Sequence, residues 1–235
     1  MLTPFGQLSD NSPLDSVSCH QRQVLFDHLQ CVLSNSDKIN LTSIKSSKAG
    51  EVLHIEDSLR VLPEVLKAPE GSLIDIGSGT GYPGIPLAVC TGKKTLLVES
   101  IAKKGAILDR FVASNGLGGL IEIVSERSET VALERPEQFS VATVRAVGQL
   151  PTVVELAAPL LMNKGLLVAL KGRPTDVEIA RGVQAGNLVG LSLVSSRRYK
   201  LSNGSCRSVY LFRKDGEPVV SLPRRPGMAN KRPLA

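Results

Sequence analysis

The chain of 235 residues is 42% hydrophobic, 21% charged and 3% aromatic, with a formal net charge of +6. That composition excludes a disordered polymer, and the length allows one sizeable core that needs neither disulfide nor metal, because such a chain buries roughly 70% of its unfolded surface. Four scattered cysteines with no CxxC pair, and three histidines with no ligand spacing, exclude a disulfide scaffold and a zinc site, so no metal is expected.

The first fifteen residues lack the basic start and apolar run of a signal peptide. From Cys19 to Leu33, Val24, Leu25, Leu29, Val32 and Leu33 fall on one side of a predicted helix, which Ser34-Asn35-Ser36 should stop. A second helix is predicted over Ser47 to Leu66, kinked or restarted at Pro63. Residues 1–70 thus read as a helical N-terminal cap. At Glu70-Gly71 the pattern changes to short apolar strands alternating with helices. Strands are predicted at SLIDIG, KKTLLVES, Gly119 to Val124, Phe139 to Val144 and LLVALKG, with helices over PGIPLAVC, Lys103 to Asn115, Leu150 to Leu161 and Glu178 to Asn187. The longest apolar run, Leu156 to Leu170, is interrupted by Pro159, Asn163, Lys164 and Gly165 and falls short of the roughly 20 residues of a membrane span. Leu188 to Ser196 and Ser205 to Arg213 form a predicted hairpin around Ser202-Asn203-Gly204. Strands apolar on both faces between helices mean an α/β fold with a mostly parallel, seven-stranded sheet over residues 71–222, followed by a basic tail, 223–235. A soluble cytoplasmic monomer is the expectation.

The sharpest motif is Asp75-Ile76-Gly77-Ser78-Gly79-Thr80-Gly81, between the first strand and its helix. Glycine there permits positive φ and lets a ligand lie on bare backbone, at the strand ends where open sheets bind ligands. Gly79 to Gly84 formally satisfies GxGxxG, but its first glycine comes late and Pro83 removes an N–H from the turn meant for a pyrophosphate. The register D-x-G-x-G-x-G instead resembles motif I of class I S-adenosylmethionine-dependent methyltransferases, Rossmann-like folds in which the acidic residue engages the methionine ammonium directly or through water. Glu99, 24 residues beyond Asp75, suits the two ribose hydroxyls of either a nicotinamide dinucleotide or S-adenosylmethionine.

With the loop extended to IDIGSGTGYPGIPLAV, the chain resembles the RsmG (GidB) family of small-subunit rRNA 7-methylguanosine methyltransferases, which act on the 530 loop. Further elements carry the resemblance: Asn40-Leu41-Thr42, His54 with Asp57-Ser58, Pro83-Gly84-Ile85-Pro86, Arg127-Ser128-Glu129, Arg145-Ala146, Lys171-Gly172 and the ending PRRPGMANKRPL. Val147-Gly148 and Asp109 depart from the usual pattern. The resemblance implies S-adenosylmethionine as cofactor, held by Asp75, Gly77, Gly79, Gly81, Tyr82, Glu99, Ser128, Glu129 and Arg145, with Ser128 and Glu129 at the adenine. It implies 16S rRNA or the small ribosomal subunit as partner.

Guanine N7 carries a lone pair and no proton, so in-line methyl transfer needs alignment rather than a general base. Arg145 and Lys171, at the ends of strands four and five, are the candidate positioning residues. Residues 171–235 carry a net +9, against −3 for 1–70 and zero between, which points to a polyanion. The candidate RNA contacts are Asn40, His54, Arg127, Lys171, Arg173, Arg197, Arg198, Lys200, Arg207, Lys214, Arg224, Arg225, Lys231 and Arg232. With no tryptophan and few tyrosines, phosphate contacts should outweigh stacking. The competing reading is a non-catalytic rRNA-binding or assembly protein that retains the fold.

Overall fold

The computed structural model describes residues 13–39, 44 and 46–235, the side chains of 37–39 excepted. Seven strands form one sheet: β1 (Ser72–Ile76), β2 (Thr95–Val98), β3 (Ile121–Val124), β4 (Phe139–Arg145), β5 (Leu161–Lys171), β6 (Leu191–Lys200) and β7 (Cys206–Lys214). Their order is β3-β2-β1-β4-β5-β7-β6; β7 is antiparallel to β5 and β6, and every other pairing is parallel. The mostly parallel seven-stranded architecture is therefore the expected one.

Along the chain the helices are α1 (Cys19–Ile39), α2 (Ser47–Gly50), a π-helical turn (Glu51–Glu56), α3 (Asp57–Leu59), α4 (Leu62–Val65), α5 (Gly84–Thr91), α6 (Ala102–Ser114), α7 (Ser128–Glu134), α8 (Leu150–Ala157), α9 (Asp176–Leu188) and α10 (Met228–Lys231). No helix among the described residues is long and apolar enough to cross a membrane. Ile74, Ile76, Ala142, Val144, Leu167 and Ala169 pack on one face of the sheet with α8 residues Val153, Val154 and Ala157. The alternate residues Leu73, Val141, Val168 and Leu170 pack on the other face with Val61, Val65 and Leu87.

Among the boundaries that differ from the sequence reading, three have a plain physical cause. Ser34-Asn35-Ser36 does not stop α1, because each side chain donates back to a carbonyl four residues earlier, on Gln30, Cys31 and Val32. The second helix is divided: its central turn widens into a π-helix over Glu51–Glu56, and the chain breaks at Arg60-Val61, ahead of Pro63. β6 runs on to Lys200 rather than ending at Ser196, because Arg197 and Tyr199 find buried acidic partners where apolar neighbours were looked for.

Those partners belong to the helical layer of residues 47–65. Glu56 accepts from Ser202 N–H and Oγ, Asp57 from Tyr199 Oη, and Glu64 from Arg197, so three buried carboxylates grip the β6–β7 hairpin. Among the basic residues of the last quarter, Lys171, Arg197, Arg207, Arg213, Lys214 and Arg224 all pair with acids of this chain. The +9 excess thus serves the fold as well as any partner.

Candidate functional site

The topological switch lies between β1 and β4, and the glycine loop leaves β1 there. Gly77, Gly79 and Gly81 adopt φ of +69°, +57° and +86°, a region that penalises any side chain. Gly77 N–H and Ser78 N–H both donate to Val98 O, at 2.9 and 3.0 Å, tying the loop to β2. Glu99, just past β2, accepts from Gly79 N–H at 2.9 Å and Ile101 N–H at 2.8 Å, one bond per carboxylate oxygen. Each oxygen keeps a second lone pair for another donor.

Asp75 lies beneath the loop rather than facing out of it. Its Oδ1 accepts from Thr143 Oγ1 at 2.8 Å, its Oδ2 accepts from Gly84 N–H at 3.1 Å, and the residue is 1% exposed. Thr143 is its register partner on β4, a role the sequence reading missed because an isolated threonine in an apolar strand carries no signal. Burial raises the Asp75 pKa to about 6, against the lowering by Thr143, Gly84 and Arg145. Asp75 was expected to engage an ammonium group directly or through water; in this geometry it shapes the loop and the start of α5.

Tyr82 is corrected. It was expected among the residues that hold the cofactor, but it is 3% exposed, inside the cluster of Leu25, Leu29, Val32, Ile55 and Leu59. Its ring stacks on His54 at 4.5 Å and 4°, and packs against His28 at 4.4 Å. His28 reaches the Thr80 carbonyl with Nε2 at 2.8 Å; a carbonyl only accepts, so Nε2 carries the proton and buried Nδ1 is left without a partner. The one histidine on the apolar face of α1 was the available signal for this contact with the loop.

Burial holds the His28 pKa down at about 3, and burial with the nearby Arg145 does the same for His54. Both bind fewer protons folded than unfolded between about pH 3 and 6.5, so stability is lost as pH falls through that window. Asp75 works the other way between about pH 4 and 6, because its folded pKa is raised. With two groups against one, urea midpoints should fall from pH 6.5 towards pH 4, at about 1 kcal/mol per pH unit. In His28→Phe the slope between pH 6 and 4 should be close to flat; a slope unchanged from wild type would contradict this account.

The period of two on β4 puts Val141, Thr143 and Arg145 on the side of the sheet that faces the helical layer. Arg145 Nη1 donates to Leu53 O at 3.0 Å and Asp57 Oδ2 at 3.2 Å, and Nη2 lies 3.3 Å from His54 Nδ1. Since the guanidinium only donates, His54 Nδ1 accepts and the imidazole is neutral. All three acceptors come from the π-helical turn and the residue after it, an irregularity often found at functional sites. Asp57, 2% exposed, also accepts from Tyr199 Oη and lies 3.6 Å from Arg207 Nε. Lys171 Nζ bonds Gly148 O at 2.6 Å and Glu178 at 2.7 Å. His54, Asp57, Arg145, Lys171 and Arg207, with Leu53, Leu170 and Ala146, line a cavity of about 430 Å³ beyond the ends of β4 and β5.

The family model of GidB, rRNA small subunit methyltransferase G, matches residues 21–200. The chain belongs to this family. A ribosomal RNA small subunit methyltransferase G from Carboxydothermus hydrogenoformans is 32% identical over 223 residues, 93% of this chain and 94% of that protein. Its counterpart from Pelotomaculum thermopropionicum is 33% identical, covering 88% of each chain. Among solved structures, an O-methyltransferase from Bacillus cereus in complex with SAH superposes with a TM-score of 0.56 at 18% identity, over 80% of this chain and 90% of that one. M. jannaschii TYW2 in complex with AdoMet gives 0.53 at 14% identity, over 70% of this chain and 78% of that one. At such identities the likeness establishes the class I methyltransferase fold.

In this GidB-family chain, the motif elements His54/Asp57, Arg145-Ala146 and Lys171-Gly172 line one cavity. Asn40, with Leu41 and Thr42, lies outside the described residues. Ser128 Oγ and Gly227 N–H both donate to the Glu129 carboxylate, at 3.3 and 2.7 Å, so the C-terminal segment holds the side chain expected at the adenine. The set of expected RNA contacts divides. Lys214 is 4% exposed and bonded to Glu137 and Leu161 O, which removes it from the surface set. Arg197 is tied to Glu64 and Arg60 O, and Arg224 to Glu155 and Arg232 O, which withdraws both in the same way. Arg127, Arg173, Arg198, Lys200, Arg225, Lys231 and Arg232 are exposed.

The tail is a folded strap rather than a free basic end. Ala229 is buried and its carbonyl accepts from Thr152, Ala235 O accepts from Arg181, and Leu222, Leu234 and Ala235 join the main core.

Proposed function

We propose that this protein transfers a methyl group from S-adenosylmethionine to N7 of a guanosine in the 530 loop of 16S rRNA, as a single cytoplasmic chain acting on the rRNA or the small subunit. One observation carries the reading: among the described residues, each acid–base group that lines the 430 Å³ cavity is already committed. His54 gives its lone pair to Arg145, Asp57 is shared by Arg145, Tyr199 and Arg207, and Lys171 is paired with Glu178. Such a cavity suits a nucleophile that has no proton to lose, and guanine N7 is one. Arg145 and Lys171 then serve as positioning residues, with guanidinium or ammonium donors for guanine O6 or phosphate that leave N7 free.

The residues of the loop fit the cofactor. A Cβ on Gly79 would meet only Gly77 O, at 3.9 Å, so its outer side is open, and Glu99 has lone pairs left for two ribose hydroxyls. The adenine end falls to Ser128 and Glu129. When bound, the cofactor supplies the electrophilic methyl; the chain's part is to align the guanosine with it and exclude competing nucleophiles.

Two glycines separate binding from folding. In Gly79→Ala only left-handed strain opposes the methyl, about 1 kcal/mol, while cofactor affinity should drop at least tenfold by calorimetry. In Gly84→Ala the new Cβ would lie 2.4 Å from Leu97 Cδ2 and 2.7 Å from Asp75 Oδ2, so stability should fall by about 2–3 kcal/mol, a Tm loss of about 5–10 °C. Equal Tm losses in the two variants would refute the distinction.

The deciding experiment is transfer of radiolabelled methyl to small subunits lacking the modification, and to their naked rRNA, with the product nucleoside identified. Label in 7-methylguanosine within the 530 loop supports the proposal. Label in another nucleoside overturns the target, and absence of label despite cofactor binding overturns the activity.

A further inference from the structure

β6 sends its side chains to two destinations. Arg197 and Tyr199 turn towards the helical layer, where Glu64 and Asp57 take them. Arg198 and Lys200 turn the other way, onto the face of their register partners Ser208 and Cys206. There, with Arg173 from the loop after β5, they line a groove of about 590 Å³. Gly172 and Arg207 line both this groove and the cavity at Arg145, so the two are contiguous.

The groove's chemistry is one-sided. Among the described residues no acidic side chain lines it, no ion pair engages Arg198 or Lys200, and Arg173 donates only to Cys206 Sγ, at 3.1 Å. Tyr199, the one aromatic residue of the lining, is covered by the Arg197 guanidinium at 4.9 Å and gives its hydroxyl to Asp57. What the groove presents is positive charge that is uncompensated at Arg198 and Lys200, with its one described aromatic ring stacked under Arg197. That combination suits the phosphates of a nucleic acid backbone and gives little to unstacked bases.

We propose that this groove holds the backbone phosphates of the RNA nucleotides next to the target guanosine, so that the strand leaves the cavity past Arg207 and runs over Arg198 and Lys200. The proposal rests on the guanosine reading of the cavity and adds the path of the flanking strand, across the hairpin rather than along the C-terminal strap.

The test uses the full chain and native rRNA. In Arg198→Gln/Lys200→Gln the KM for rRNA should rise about tenfold with kcat and cofactor affinity within twofold of wild type. Loss of two phosphate contacts should flatten the log–log salt dependence of rRNA binding by about 1.5. Lys67→Gln/Lys94→Gln, at exposed positions ahead of β1 and β2, should change neither quantity. Cys206 gives a second readout on unaltered protein, because its alkylation by iodoacetamide should slow at least fivefold under saturating rRNA. An unchanged salt slope in the Arg198/Lys200 variant, or an alkylation rate indifferent to rRNA, overturns the proposal. Protection by whole subunits but not by their extracted rRNA overturns it too, because the groove would then take a protein. Should wild type methylate no RNA, the function reading fails by itself, and the salt slope and alkylation still judge the groove.

Discussion

Replacing Arg145 with alanine should lower methyl transfer to rRNA by about two orders of magnitude, since misplacement of a reactant by even about 1 Å can cost that much. The same change should destabilise the fold by about 3 kcal/mol, because it removes a partner from Asp57, which is buried, and leaves Leu53 O without its donor. Arg145→Lys separates the two effects. A lysine keeps the charge beside Asp57 but cannot reach Leu53 O, Asp57 and His54 at once, so stability should largely return while the rate stays at least tenfold down. Turnover under saturating cofactor, set against urea midpoints, provides the measurement. Full recovery of rate in Arg145→Lys would show that charge alone matters and that the three-way anchoring does not.

Removing residues 223–235 should weaken the cofactor side of the site more than the RNA side. Glu155 is buried and loses both bonds from Arg224, at 2.7 and 2.6 Å, which leaves an unpaired carboxylate against α8. Loss of a partner from a buried ion pair costs about 3–5 kcal/mol, and Ala229 and Leu234 leave the core as well. Gly227 N–H also leaves Glu129. Cofactor affinity should therefore fall about tenfold while the salt slope of rRNA binding stays as it was. If deletion flattened that slope and spared cofactor affinity, the strap would be an RNA tail after all. Arg224→Gln, which keeps the chain length, should reproduce part of the stability loss and little else.

Most of the fold was legible in the sequence because its central strands are apolar on both faces, a pattern that only a doubly covered parallel sheet satisfies. The glycine loop and Glu99 were legible for a similar reason, since backbone freedom and a strand-end carboxylate leave marks in a single sequence. The failures share a different cause. Arg197, Lys214 and Arg224 read as surface charge because their partners Glu64, Glu137 and Glu155 stand 133, 77 and 69 residues away. Pairing over such distances has no local pattern. Tyr82 was misplaced because its neighbours His28 and His54 come from helices that precede the loop, and the π-helical turn carrying His54 has no periodicity of its own. Asp57 was visible as part of a motif, but its role at the centre of a cluster with Arg145, Tyr199 and Arg207 needed coordinates.

The grip of Glu56, Asp57 and Glu64 on the β6–β7 hairpin also sets an order of events during synthesis. Their partners lie 133 to 146 residues later in the chain, so these contacts close a very long loop. Until the hairpin has left the ribosome, the three carboxylates have nothing to bind there and favour water over burial. The N-terminal helices emerge first yet should dock last, and the cavity at Arg145, which they wall, should be completed only when the chain is nearly finished.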